Sequence, residues 1–232
     1  MYDFTALRNN LISSNSGKFA KYIQEKTTVI PISDNKGNTK QYFYELQGGS
    51  PAWSNCKTPN NMNAEGCFIF AAAAAASNLS GRCYLAADAL AAAGGGDWRF
   101  DESKNAFSIS GDPGRHSAGM RVGGSLQKLQ DILDDATGGE YTATDYVHFG
   151  SFDSGCMQKI MNGATALIYA SSAAGSSHSF RTGSAHWTYI AGWSVDSDGD
   201  PCITLLCNDH RSNTFKMKDI GKLEHVYIIE KK

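Results

Sequence analysis

The chain has 232 residues, of which 41% are apolar and 19% are charged, and its formal net charge is −2. This length allows one domain with a sizeable core, and the small net charge excludes a strongly basic surface for nucleic acid. No apolar run approaches the roughly 18 residues of a membrane-spanning helix, and residues 1–20 lack the features of a Sec signal peptide. We therefore expect a chain made in the cytoplasm, with no membrane span and no nucleic-acid partner. Export by a signal-independent secretion system, to the periplasm or to a target cell, stays open.

The N-terminal part of the chain predicts helix, hairpin and loop in that order. Residues 1–26 carry apolar side chains at near-helical spacing. Segments 27–33 and 40–46 are typical of strands, and the turn at 34–39 between them predicts a hairpin. The polar segment 47–66 is rich in Gly, Pro and Asn, so we expect a long loop that forms one wall of a cleft.

Helices dominate the predicted middle of the chain. Cys67 to Leu79 includes six consecutive alanines, which favour a helix, and residues 83–96 predict a second one. Residues 97–124 are expected to be mostly loop with one short extended piece. Ser125 is a good N-cap for a further amphipathic helix, and residues 152–163 predict a short one.

The last part of the chain changes to strands. Segments 164–170, 186–193, 202–209 and 225–230 have the apolar and aromatic content of strands. Helices followed by antiparallel strands indicate an α+β fold. We expect a single domain over 1–232 with three parts: an N-terminal helix, hairpin and cleft loop (1–66), a helical part (67–163) and an antiparallel sheet (164–232).

The chain has six cysteines, but none of them form a C-x-x-C motif. The length, the core-forming composition and the missing signal peptide argue against a disulfide scaffold, although one bridge that includes Cys56 stays open. No group of Cys and His has the tight spacing of zinc ligands. We therefore expect neither a metal nor a cofactor.

Cys67 has the position of a catalytic nucleophile. The unpaired amides and the dipole of a helix N-terminus favour a thiolate, and Gly66 leaves room for a substrate to approach. His186 opens a predicted strand and could accept the thiol proton. The Asp-Gly turn between this strand and the next predicts a hairpin, which would bring Asn208 and Asp209 across from His186.

These motifs, "EGCFIF", "AHWTYIAGW" and "LLCND", resemble in order and spacing those of papain-like cysteine peptidases, most closely the bacterial C39-like branch. The resemblance covers residues 61–210. It implies a papain-like fold, in which a central helix that carries the cysteine packs on a C-terminal antiparallel sheet. It also implies a cysteine peptidase or amidase that needs no cofactor.

The resemblance further implies a role for each site residue. Cys67 would attack an amide carbonyl, and His186 would protonate the leaving amine and then activate water. Asp209, as in the C39-like pattern, or Asn208, as in papain, would orient the imidazole. The Cys67 amide would stabilise the oxyanion together with Asn61, at the family's glutamine position, or with Gln47.

Several alternatives stay open at this point. Cys83 is also expected to open a helix and is the rival nucleophile. The substrate could be the stem peptide of peptidoglycan or a target protein, as for a bacterial effector or toxin, which could have an immunity or inhibitor protein as a partner. A glutamine deamidase or acyl-transfer toxin could use the same triad, and a non-catalytic binding domain could share the same fold.

Overall fold

The computed structural model describes residues 2–34, 36–47, 53, 62, 66–109, 124–171, 185–207 and 211–232, with the backbone alone for residues 95, 109, 207, 211 and 212.

The described chain contains seven helices and ten strands. The helices are α1 (Phe4–Ser13), α2 (Gly17–Lys26), α3 (Cys67–Ser80), α4 (Ala86–Leu90, continued by a π-helical stretch Ala91–Gly95), α5 (Leu126–Thr137), α6 (Ser154–Met161) and α7 (Met217–Ile220). The strands are β1 (Thr27–Ser33), β2 (Thr39–Glu45), β3 (Trp98–Asp101), β4 (Ala106–Ile109), β5 (Tyr141–Ser151), β6 (Thr165–Ser171), β7 (Ala185–Val195), β8 (Pro201–Cys207), β9 (Arg211–Lys216) and β10 (Lys222–Lys231).

A six-stranded sheet in the order β5-β10-β6-β7-β8-β9 forms the centre of the fold. Each neighbouring pair in it is antiparallel. The last strand, β10, lies between β5 and β6, so the end of the chain joins two strands that come much earlier in the sequence. The predicted α+β class is confirmed, because helices lie beside a mostly C-terminal antiparallel sheet.

The two faces of this sheet carry different helices, because successive strand residues point to opposite sides. On one face α3 and α5 pack against alternate strand residues, namely Leu167, Trp187, Tyr189, Leu206, Tyr227 and Ile229. On the other face α6 and α7 pack against Ile168, Ile190, Ile203, Leu205, Val226 and Ile228.

Helix α3 is buried along most of its length, from Phe68 to Ser77. A helix that is apolar all round belongs in a core, and its alanines let neighbouring elements approach closely. The hairpin β1–β2 and the large sheet both contact it. The helix predicted over Cys67 to Leu79 is thus confirmed. No helix among the described residues has the length and apolarity needed to cross a membrane.

The structure corrects three of the predicted elements and adds one strand. Residues 1–26 form two helices with a break before Gly17, whose φ of +66° is left-handed. Residues 98–109 form the hairpin β3–β4 rather than one extended piece within a loop. The second predicted helix begins at Ala86 rather than at Cys83. Strand β9 was not predicted, because its sequence RSNTFK lacks the apolar alternation of a half-buried strand.

Candidate functional site

Cys67 is the first residue of α3, and Gly66 is the N-cap. The Gly66 amide donates a hydrogen bond to the Met62 carbonyl over 3.0 Å. A Cβ at position 66 would lie 2.4 Å from that same oxygen. The glycine before the thiol is therefore required by a close backbone approach, in addition to any space that it leaves for a substrate.

The first turn of α3 lies against the ends of β6 and β7. The Phe68 ring meets the Trp187 ring edge-on, with 5.2 Å between centroids. Cys67 is half-buried here and acts electrostatically on Tyr169. Burial raises the pKa of Tyr169, and the charges of Glu224 and of a Cys67 thiolate raise it further. The thiol thus lies where an end of the sheet meets the start of the buried helix.

His186 is the second residue of β7 and is only 3% exposed. It pairs with Ala170 across the β6–β7 ladder, while its neighbour Trp187 stacks on Tyr169 at 4.8 Å between ring centroids. Because side chains alternate along a strand, Trp187 faces α3 and the pleat directs His186 towards the opposite face. The predicted base is therefore the neighbour in sequence of Trp187, which contacts α3. Its role in proton transfer stays a prediction.

The other predicted catalytic residues are only partly covered by the structure. The hairpin predicted between β7 and β8 is confirmed, and its pairs nearest this end include Tyr189 with Leu206. Asn208, Asp209 and Asn61 lie outside the described residues.

Gln47, the second oxyanion candidate, is described and buried. Its side-chain Nε2 donates to the Met62 carbonyl over 3.4 Å. This is the same oxygen that accepts from Gly66, so the Gln47 amide lies beside the turn that leads into Cys67. Its role as a donor to an oxyanion at Cys67 stays a prediction.

Cys83, the rival nucleophile, lies in a different environment. Because α4 begins at Ala86, Cys83 is not at a helix N-terminus. It borders a cavity of about 480 Å³ together with the acidic Asp88 and Asp135, and none of the described lining residues is a histidine. Burial raises the pKa of its thiol to about 11. A thiolate is therefore disfavoured at Cys83.

A larger cavity, of about 610 Å³, lies at the other end of β7. Its lining includes Ile32 and Tyr42 from the hairpin β1–β2 and Trp193 from β7. Neither Cys67 nor His186 is among its lining residues. Its position gives no support to the predicted site.

One group of polar residues on the α3 face of the sheet was not predicted from the sequence. His225 on β10 lies beside Trp187, with 6.0 Å between ring centroids, and beside Tyr169, at 6.3 Å. Its Nδ1 is 3.1 Å from Asp145 Oδ2 on β5. No local motif marks this group, because its residues come from strands far apart in the chain.

Gly124 packs closely against two aromatic rings at the start of α3 and on β7. A Cβ there would lie 2.6 Å from Trp187 Cζ2 and 2.7 Å from Phe68 Cδ2. We expect Gly124→Ala to lower the free energy of unfolding by about 1–3 kcal/mol, because two packed rings must shift. Urea unfolding measures this change. Gly192→Ala is the matched control, since its nearest atom would be at 3.8 Å, and an equal effect of both variants would contradict the expectation.

Comparison of the chain with known protein families, with curated proteins and with solved structures found no match.

Proposed function

We propose that the protein is a cysteine hydrolase that cleaves amide or peptide bonds, with Cys67 as its nucleophile. The observation that carries the proposal is the position of this thiol. It begins a buried 14-residue helix whose first turn packs on β7, the strand that carries His186 as its second residue. The amides and the dipole at such a terminus favour the thiolate, which is the reactive form.

The other described cysteines support this choice by contrast. Burial raises the thiol pKa of Cys83 and of Cys156 to about 11, and it also raises the pKa of Cys202. Cys83 and Cys202 lie outside any helix, and Cys156 is the third residue of α6, behind the acidic N-cap Asp153, whose charge further raises its pKa. At neutral pH each would be almost entirely protonated and therefore unreactive.

The proposed reaction is a two-step acyl transfer on a papain-like arrangement of central helix and sheet. The Cys67 sulfur bonds to the amide carbonyl carbon, and the amine leaves with a proton from the imidazole of His186. Water then gives a proton to His186 and attacks the thioester, which releases the acid and restores the thiol. Asp209 or Asn208 orients the imidazole, and the Cys67 amide, with Gln47 or Asn61, stabilises the oxyanion.

The proposed substrate is the stem peptide of peptidoglycan or a target protein, as for a bacterial effector or toxin. Incubation of the chain with purified peptidoglycan, followed by mass spectrometry of the released fragments, tests the first. Release of ammonia without cleavage would instead indicate a glutamine deamidase. If the protein is an effector, we expect an immunity or inhibitor protein that binds it. Co-purification with the unmodified chain, compared with the chain alkylated at Cys67, would detect such a partner.

His186→Ala tests the proposed base. The proposal requires the His186 imidazole to reach Cys67 around the first residues of β7, because the pleat directs it away from α3. On that requirement, we expect the variant to slow alkylation of Cys67 by iodoacetamide at pH 7 by at least about 10-fold, since the thiolate would lose its imidazolium partner. Hydrolysis should fall by about 10²–10⁴-fold, the usual contribution of a general acid–base. Near-ultraviolet circular dichroism checks that the buried site is still folded.

His225→Ala gives the decisive comparison, because His225 lies on the sheet face that α3 covers. If His186→Ala leaves both rates intact while His225→Ala lowers them, the base is His225 and the His186 assignment is wrong.

A further inference from the structure

Asp145, His148 and His225 bring one carboxylate and two imidazoles together on the strands β5 and β10. One donor atom from each residue lies within 4.8 Å of the other two. Asp145 Oδ2 is 3.1 Å from His225 Nδ1 and 3.7 Å from His148 Nδ1. Ligands about 2.0–2.1 Å from a tetrahedral metal ion lie about 3.3 Å apart, so these separations are close to those of a metal site.

An irregular backbone on β5 produces this convergence. Residues three apart on a regular strand point to opposite faces, as Asp145 and His148 would. The register with β10 shifts between Val147 and Asp145, so that Tyr146 is an extra residue, and both side chains turn towards His225. Such bulges commonly re-aim a side chain at a functional site.

A second backbone feature directly follows His148. Phe149 has a φ of +51°, a left-handed conformation that is rare for a bulky residue. The residue is 52% exposed, and its ring lies against the His148 ring, with 4.9 Å between centroids. Backbone strain of this kind clusters at functional sites.

The carboxylate of Asp145 also has an unused oxygen. Oδ2 faces the two imidazoles, whereas Oδ1 is buried and has no hydrogen-bond partner among the described residues. A buried carboxylate oxygen without a partner is costly, and a cation held by both oxygens of Asp145 would satisfy it. The unpaired oxygen is thus a second observation beside the distances between the three side chains.

We propose that Asp145, His148 and His225 bind a first-row transition-metal ion, with Zn²⁺ as the first candidate, and leave one coordination position open. Two imidazoles and one carboxylate suit Zn²⁺ or Co²⁺ better than Mg²⁺ or Ca²⁺, which prefer oxygen ligands alone. His148 has a side chain 61% exposed and gives access from solvent, whereas His225 is 18% exposed and lies against the rings of Trp187 and Tyr227. Three protein ligands and one open position are the composition of a site that holds a water or a substrate atom.

The test is a titration of the metal-free full-length chain with ZnCl₂, in which isothermal calorimetry measures the binding. We expect one ion per chain. Asp145→Asn and His148→Ala should each weaken binding by about 100-fold or more, since changes outside the ligand shell alone cost about 10–100-fold. Asp198→Asn is the matched control. It lies in the β7–β8 turn, with its side chain 73% exposed, and should bind as the wild type does.

Two results would overturn the proposal. Wild type that binds Zn²⁺ no more tightly than Asp145→Asn would show that the three residues form only a hydrogen-bonded ion pair. Loss of binding in Cys67→Ala, with a near-ultraviolet thiolate band in the Co²⁺ complex of the wild type, would show that the site is built on the thiol instead. The metal site does not depend on the proposed hydrolase, because Zn²⁺ binding is measured without any substrate. Failure of one proposal therefore leaves the other untouched.

Discussion

Cys67→Ser is expected to lower amide hydrolysis by at least about 10³-fold while the chain keeps its fold, because the nucleophile acts as a unit with its base. In the wild type, iodoacetamide at pH 7 should label Cys67 faster than any other described cysteine. The reason is that Cys67 begins a helix, whereas burial raises the thiol pKa of Cys83, Cys156 and Cys202. Mass spectrometry of the labelled peptides measures each rate, and digestion of peptidoglycan measures the hydrolysis.

Cys83→Ser is the matched control for this experiment. Cys83 is part-buried like Cys67, and it precedes α4 without belonging to its first turn. We expect this variant to retain both activity and the labelling of Cys67. Loss of activity in Cys83→Ser alone, or equal and slow labelling of all cysteines, would refute Cys67 as the nucleophile.

The parts of the fold that could be predicted are those fixed by local sequence. The alanine run predicts α3, Ser125 caps α5 through a hydrogen bond from the Lys128 amide, and the turn at 34–39 predicts the hairpin β1–β2. Strand β9 is different, because it forms by pairing along β8 rather than by its own apolar pattern. Its formation depends on a neighbouring strand that sequence periodicity does not reveal.

The candidate site also has residues that local sequence predicts and residues that it does not. Cys67 could be found because a Gly-Cys before an apolar helix is a local signal. His225 and Asp145 could not, because they are 80 residues apart and meet only through the insertion of β10 beside β5. The expectation of no metal rested on the spacing of Cys and His along the chain, and such spacing cannot detect ligands that a sheet assembles from distant strands.

Glu45, at the end of β2, is a buried ionisable residue that the sequence analysis did not identify. It is 2% exposed. Its carboxylate accepts hydrogen bonds from the Tyr22 hydroxyl, from Trp53 Nε1 over 3.3 Å, and from the Ala86 amide over 2.7 Å. One side chain thus joins α2, β2 and the start of α4.

Glu45→Ala is expected to lower the free energy of unfolding by about 3 kcal/mol or more. The change would remove the buried acceptor of the Ala86 amide and of the Tyr22 hydroxyl, and each such loss costs about 1–3 kcal/mol. Urea unfolding followed by tryptophan fluorescence measures the effect. Glu25→Ala is the matched control, because Glu25 lies on the surface of α2 with its side chain 57% exposed, and its loss should cost less than about 1 kcal/mol.

The same carboxyl makes stability depend on pH in a defined direction. Burial raises the pKa of Glu45 from 4.5 to about 7, against the smaller lowering effect of its hydrogen bonds. The folded chain therefore holds a proton that the unfolded chain releases. The stability gained is fully present below pH 4.5 and is lost as pH rises through about 7. Its full size is about 3 kcal/mol.

Glu45→Gln isolates this contribution. The wild type should lose about 2.5 kcal/mol more than Glu45→Gln in unfolding free energy between pH 5 and pH 8, since glutamine does not titrate. Carboxylates with a lowered pKa, such as Asp101 at about 2 and Asp196, do not interfere, because their stabilisation is lost only as pH falls below about 4. Every other titratable group is present in both proteins, so its contribution cancels in the comparison. Parallel pH profiles for the two proteins would mean that Glu45 ionises at its ordinary pKa and that burial does not hold its proton.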